Sequence, residues 1–326
     1  MEKFLYGGEQ MSSAPKIAVI TGPTATGKTA LGVMLALELG GEVVSADSMQ
    51  VYRGMDIGTA KVTKEEMRGI PHHMIDIAEP CENYSVARYV MEADECVQDI
   101  LKRGLLPIIV GGTGLYIDSL VAGRDFDESA SDEQLRRGLE LKYASVGGEA
   151  LLEELSSIDP ERALKLHPSD KKRILRALEV FYTTGRTITE HDAETRRAPD
   201  RYDAAVIALS FEDRGRLYAG IDKRAEAMAE AGLFDEVRSL LAGGVSEKCT
   251  AMQAIGYKEA ARAIRGEITY DEAIDIIKRE SRRYAKRQLT WLRRREEVCW
   301  ILWGNEPDFN FGRRISTEFL RSHGLK

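Results

Sequence analysis

The octapeptide Gly22-Pro23-Thr24-Ala25-Thr26-Gly27-Lys28-Thr29 constrains this chain more than any other stretch. It follows an apolar run, Ile17 to Ile20, and precedes a helix-like segment, Ala30 to Leu39. Paired glycines followed directly by Lys and Thr fit the P-loop pattern in its strand-loop-helix setting. The glycines let successive backbone N–H groups turn inward around an anion, and the following helix points its positive end at the same place. Lys28 adds a point charge, and the Thr29 hydroxyl is a candidate magnesium ligand. A di- or triphosphate is therefore the expected ligand of all eight residues. What is done to it has to come from elsewhere in the chain.

The segments around the loop alternate between strand and helix. Glu42 to Ala46 reads as a second strand whose carboxyl end carries Asp47-Ser48-Met49-Gln50. A turn and third strand are expected over Pro71 to Ile77, then a helix over Tyr84 to Arg103 ended by Gly104. Leu105 to Val110 lacks polar alternation, as a buried strand does, and leads into Gly111-Gly112-Thr113-Gly114 and another helix start. Tyr202 to Leu209 resumes as a strand. A long helix interrupted near Gly232 is expected over Asp213 to Leu241, a second over Tyr270 to Arg295, and a final strand over Val298 to Trp303. This order predicts an α/β fold, a P-loop-type doubly wound parallel sheet core with a helical insertion domain.

The insertion is placed at 125–201, where helical periodicity and charge replace strand patterns. The catalytic core is then discontinuous, 15–124 and 202–305, flanked by a disordered extension at 1–14 with an alternative start at Met11 and by an uninformative tail at 306–326. With 326 residues and 43% hydrophobic content the chain has room for a sizeable core. Cys81, Cys96, Cys249 and Cys299 show no C-x-x-C spacing, so neither a zinc site nor a disulfide framework is expected. No secretory leader or membrane-length apolar run is present, and the expected location is cytoplasmic. A net charge of −7 argues against indiscriminate nucleic-acid binding, while leaving local basic patches free to bind phosphates.

Several residues could carry chemistry. Asp47, at a strand end beside the phosphate loop, could be a general base, a metal ligand or the cap of the next turn. The strand ending at Gly111-Gly112 carries no Asp or Glu of the kind that holds magnesium in many nucleotide hydrolases, so a hydrolysing motor would lack a part. Thr113 could offer its hydroxyl to a substrate or cap its own helix. Arg224 is either a surface charge or a second, planar cation for a pyrophosphate. His72 and His73 are adjacent, project in different directions and have no third ligand, which favours a structural role. Along the last long helix Arg283, Arg287 and Arg294 share one stripe, with Tyr284 and Trp291 on another. Such a pattern suits a solvated basic face over an aromatic seam, or an RNA backbone with unstacked bases.

Taken together, these segments resemble the bacterial tRNA dimethylallyltransferases, the isopentenyl-tRNA transferase family. The resemblance rests on the P-loop, Ser45 to Arg53, Asp56 to Lys61, Pro71-His72-His73, Gly111 to Tyr116, Arg173 to Val180, Gln253 to Glu259 and Tyr284 to Trp291, in the family's order. Met74 and Leu292 stand where the family is associated with Leu and Phe, both apolar exchanges. The tail holds Cys299 and His323 without the ligand spacing of the zinc-finger extension in eukaryotic relatives, so no zinc is expected.

The resemblance implies transfer of a dimethylallyl group from dimethylallyl diphosphate to N6 of the adenosine just 3′ of a tRNA anticodon, with Mg2+, by a monomer that grips the anticodon stem-loop. It implies Asp47 as general base, Thr113 and Arg224 as catalytic partners, and the P-loop on the diphosphate. The tRNA path it implies runs through Asp47, Ser48, Met49, Gln50, Arg136, Lys172, Arg173, Ile174, Leu175, Arg176, Gln253, Gly256, Tyr257, Lys258, Lys286, Arg287, Gln288 and Arg293. Two other readings are open to a chain with these features: a P-loop small-molecule kinase, which also places a base after its second strand, and a non-catalytic RNA-binding protein.

Overall fold

The computed structural model describes residues 14–124, 132–197, 199–295 and 297–325. Nearly all of the expected N-terminal extension, Met11 included, and most of the acidic stretch that opens the insertion lie outside them. In chain order the elements are β1 (Lys16–Thr21), α1 (Lys28–Leu39), β2 (Gly41–Ala46), α2 (Lys64–Met67), β3 (His72–His73), α3 (Val86–Lys102), β4 (Leu106–Gly111) and α4 (Gly114–Ala122). Then come α5 (Glu133–Ile158), α6 (Pro160–Ala163), α7 (Lys171–Thr184) and α8 (Ile188–Arg197). The chain closes with β5 (Asp203–Phe211), α9 (Arg214–Glu230), α10 (Leu233–Ala242), α11 (Tyr257–Ile264), α12 (Tyr270–Leu292), β6 (Val298–Trp303) and α13 (Phe309–Ser322).

The contacts divide the chain into two units, Met1–Gly123 with Arg201–Lys326, and Arg124–Asp200. The first is built on a six-stranded sheet in the order β3-β2-β4-β1-β5-β6, with every pairing parallel. β2 and β4 are buried at every position, β4 as an apolar run without alternation and β2 with Glu42 and Ser45 buried among its apolar residues. Because β1 lies between β4 and β5, the chain leaves it toward one edge and later crosses to the other. The crevice for a ligand in such a sheet lies beyond the strands' carboxyl ends at that reversal.

The third strand is shorter than expected, His72–His73, because Met74 (φ 63°) and Asp76 (φ 56°) take left-handed backbone that ends pairing. The interruption expected near Gly232 is present: α9 and α10 are divided there (φ 102°). The tail, on which the sequence was uninformative, forms a helix. Asp308 caps α13 by accepting from the Phe311 N–H, and α13 packs Leu320, fully buried, into the cluster that holds Leu31 and Leu35 of α1 and the strand residues Ile20, Ile108 and Ile207. Leu320→Ala is therefore expected to lower unfolding stability by about 2–5 kcal/mol, read by denaturant titration. A surface-like cost below about 0.5 kcal/mol would show that the helix is dispensable.

The second unit is all helical, with α5 bent at Gly147 (φ 84°). Its core is Leu139, Leu151, Leu155, Ala163, Ile174, Leu175, Ala177 and Leu178. Asp159 sits at its centre with one carboxylate on two elements: it caps α6 through the Arg162 N–H and accepts from the Thr189 hydroxyl at 2.6 Å.

Candidate active site

The P-loop joins β1 to α1 at the middle of the sheet. Gly22 (φ 140°) has no room for a side chain, since a Cβ would lie 2.3 Å from the Leu209 carbonyl oxygen on β5. Gly27 (φ 83°) is closed in by the Phe309 ring, 2.7 Å from a Cβ built there. Ala25 also takes a positive φ of 64°. The loop is braced internally, with the Thr26 hydroxyl donating to the Pro23 carbonyl at 2.8 Å, and from behind by the Trp303 indole donating to the Thr26 carbonyl at 2.9 Å. Phe309, in the tail on which the sequence was uninformative, and Trp303 at the end of β6 thus both support the phosphate loop.

Asp47 follows β2. Its Oδ1 accepts the Met49 and Gln50 N–H groups at 2.9 and 3.4 Å, so the capping role is real. That occupies one oxygen; Oδ2 has no hydrogen-bond partner among the described residues. Thr113 begins α4 but does not cap it. Its hydroxyl instead accepts the Ser48 N–H at 3.1 Å, and its own N–H donates to the Ala46 carbonyl at 3.1 Å. The ends of β2 and β4 are thereby tied together. This close approach needs Gly111, where a Cβ would fall 2.2 Å from the Ala46 oxygen.

Electrostatics brings the predicted catalytic groups into one cluster. Burial first, then the charge of Arg224, pull the Lys28 ammonium down from its ordinary 10.5 to about 7, while Asp47 acts in the opposite sense. Burial likewise lowers Arg224, again opposed by Asp47 and by Glu66, and the Arg224 Nε is buried without a partner. Two cations crowded beside one carboxylate are a cradle for a multiply charged anion. Lys28 meanwhile donates to the Pro23 carbonyl at 2.7 Å.

A proton linkage follows. Binding a diphosphate favours charged Lys28, so proton uptake should accompany binding above about pH 7, and affinity should fall as pH rises past that value. Calorimetry in buffers of different ionisation heat measures the uptake. No uptake at pH 8 would mean that Lys28 is already charged before the ligand arrives.

Tyr284, named in sequence only as part of an aromatic stripe, reaches this cluster from α12. Burial and the negative charge of Asp47 push its phenol up to about 12, and its hydroxyl neighbours Thr113. One turn on, Gln288 donates to the Gly112 carbonyl at 2.9 Å. Trp291, the other aromatic, lies against Gly114 and donates to Asp118 at 2.6 Å. The seam is therefore structural, and it fastens α12 to the turn after β4.

The residues expected along a tRNA path separate into two kinds. Lys286 and Arg287 on α12 and Arg293 at its C-cap are exposed without an acidic partner among the described residues, and Arg287 stacks over Tyr284 at 5.5 Å. Lys172 and Arg173 are exposed on α7, while Arg136 and Arg176 share the buried carboxylate of Glu179 at 3.6 and 3.1 Å. Gln50 turns toward the Thr59 and Ala60 carbonyls, 3.4 and 3.5 Å away, and Gln253 donates to the Glu247 carbonyl. Lys258 pairs with Glu259, and Gly256 (φ 100°) begins α11. Met49 and Ser48 are half-buried beside Asp47.

Four side chains on that path are instead interior. Ile174 and Leu175 belong to the core of the second unit, Gln288 is buried against Gly112, and Tyr257 is fully buried with its hydroxyl on Glu236. The histidines are structural too: His73 bonds Glu42 at 2.7 Å, which Arg103 also grips, and Arg103 holds the Glu42 carboxyl at about 2. Among the described residues no three His, Cys, Asp or Glu side chains converge as a metal cage, and no helix is long and apolar enough to cross a membrane.

Residues 50–295 match the family model described as IPP transferase. The tRNA dimethylallyltransferase of Desulforudis audaxviator is 50% identical over 291 residues, covering 89% of this chain and 93% of that protein. The tRNA dimethylallyltransferase of Halalkalibacterium halodurans is 47% identical over 300 residues, 92% and 94% of the two chains. Among solved structures, a full-length tRNA isopentenylpyrophosphate transferase from Bacillus halodurans superposes with TM-score 0.70 at 43% identity, covering 95% of this chain and 98% of that one. A eukaryotic dimethylallyltransferase acting on tRNA gives TM-score 0.81 at 29% identity, over 96% and 81%.

Proposed function

The chain belongs to the IPP transferase family, a prenyl transferase acting on tRNA, and on that premise we propose that it moves the dimethylallyl group of dimethylallyl diphosphate onto N6 of the adenosine 3′ of the anticodon. The observation that carries the mechanism is the convergence of Lys28, Arg224 and Asp47 at the mouth of the P-loop.

In this reading the exocyclic nitrogen attacks C1 of the dimethylallyl group, the C1–O bond breaks, and pyrophosphate leaves with the electron pair. The lone pair of an adenine amine is delocalised into the ring, so the nucleophile gains from a carboxylate that takes its proton. Asp47 suits that task. Its Oδ1 is committed to the turn, which fixes the carboxylate plane and leaves Oδ2 to accept from N6. Thr113 holds the Asp47-Ser48 turn to the end of β4 and so sets the base against the leaving group. The loop's N–H groups, Lys28 and Arg224 receive charge as it develops on the pyrophosphate.

For Mg2+ the Thr29 hydroxyl, exposed at the start of α1, is the fitting protein ligand. With no acidic cage among the described residues, its remaining ligands would be diphosphate oxygens and water, the usual habit of this ion. When bound it would neutralise part of the pyrophosphate charge.

The target base must leave its stack to reach Oδ2, which requires contacts to the stem-loop around it. Exposed Lys286, Arg287 and Arg293, and the basic face of the helical unit with Lys172, Arg173, Arg136 and Arg176, suit its phosphates. The protein would work in the cytoplasm, where its tRNA is. Incubation with dimethylallyl diphosphate, magnesium and unmodified tRNA should add one dimethylallyl mass to the adenosine 3′ of the anticodon. Substrate-dependent consumption of ATP with no prenyl diphosphate required would replace this reading with a kinase.

A further inference from the structure

Glu236 stands apart from every group used above. It lies in the first turn of α10, half-buried, and its carboxylate collects four donors. Oε2 accepts the N–H groups of Asp56 and Ile57 at 2.9 and 2.8 Å; Oε1 accepts the Gly58 N–H at 3.2 Å and the Tyr257 hydroxyl at 2.5 Å. Three successive backbone N–H groups turned to one side form an anion-binding nest, and here the protein fills it with its own carboxylate. Gly58 is required by this packing, since a Cβ there would lie 2.4 Å from the Tyr257 ring.

The nest anchors a turn that reaches back toward the base. Lys61 joins it by bonding Asp56 and the Tyr52 carbonyl at 2.5 and 2.8 Å. Across the turn the Gln50 side-chain amide faces the carbonyls of Thr59 and Ala60, while the backbone N–H of the same residue donates to Asp47. Tyr257 sits between Gly256 and Lys258 on α11. One carboxylate therefore joins two segments proposed to meet the tRNA, 47–50 and 253–258. It makes no contact with the P-loop or Thr113.

We propose that Glu236 is a positioning residue for tRNA: it sets the Asp56–Gly58 turn and through it the Gln50 side of the site, without acting on the diphosphate. The role rests on the transfer reading above. Glu236→Gln is the sharp test, because an amide keeps the shape but replaces one acceptor by a donor. Whichever way it turns, an NH2 meets a backbone N–H. The expected result is a KM for tRNA raised about tenfold, as for loss of hydrogen bonds to a charged acceptor. Dimethylallyl diphosphate affinity and kcat should stay near wild type.

Tyr257→Phe removes one donor and should raise the tRNA KM in the same direction by a smaller factor, which keeps the test decisive should Glu236→Gln fail to fold. Unchanged tRNA KM in both variants overturns the proposal. So does an equal loss of tRNA and diphosphate binding, which would make Glu236 a brace for the whole unit. Absence of transfer by the wild-type protein would instead remove the underlying reading, and this role with it.

Discussion

Asp47→Asn should lower the rate of dimethylallyl transfer by about 100- to 10,000-fold, the usual worth of a positioned general base. Asparagine keeps a carbonyl oxygen for the Met49 and Gln50 N–H groups, so the turn after β2 should survive the change. What it loses is a basic oxygen at the place where N6 must give up its proton. Single-turnover transfer, measured with both substrates saturating, isolates this step. Binding of tRNA and of dimethylallyl diphosphate should remain. A single-turnover rate near wild type would show that the proton leaves by another route, to water or to the pyrophosphate.

The second large effect is expected at Lys28. Removing one donor aimed at developing negative charge typically costs about 100- to 1,000-fold in rate. Lys28→Met keeps most of the stem and deletes the ammonium, so transfer should fall on that scale and diphosphate affinity with it. The proton uptake near pH 8 should disappear in the same variant, because Lys28 is the group whose charge the ligand restores. Retained uptake would assign the titration to a different group. Arg224 carries the other half of the cradle, and the two cations repel each other in the free site; each one's loss should therefore be partly offset by relief of its partner.

The parts of this protein that were legible in its sequence are those governed by local rules. Short, mainly apolar runs identify the strands, and β1, β2, β4, β5 and β6 appear within a residue or two of their expected bounds. Glycine spacing before Lys28 is read the same way, because backbone conformation at Gly22 and Gly27 depends on the residue itself. Asp47 was visible because a parallel sheet puts ligands at its strand ends. The split at Gly232 was visible for a similar local reason.

The rest depends on partners far away in the chain. Nothing near Tyr284 in sequence says that its hydroxyl will meet Thr113, and nothing near Phe309 says that its ring will close over Gly27. Periodicity could have found α13, since Ile315, Phe319 and Leu320 share a face behind the Asp308 cap, but not the loop it supports. For Glu236 the one local signal is an acid in the first turn of a helix, which is ordinary. Its four donors come from residues 56–58 and 257, and only the packed chain makes them neighbours.

By itself, then, the sequence determined which segments would be strands and helices, and that the P-loop and Asp47 would both follow the carboxyl ends of strands. Tertiary structure alone decided which charges share one site, which side chains of a basic helix face inward, and what holds the turn after β2 in place. The reason is physical: backbone propensity and burial pattern are short-range properties of a chain. The field at Lys28, by contrast, is set by groups at 47 and 224, whose distance from it exists only once the sheet has closed.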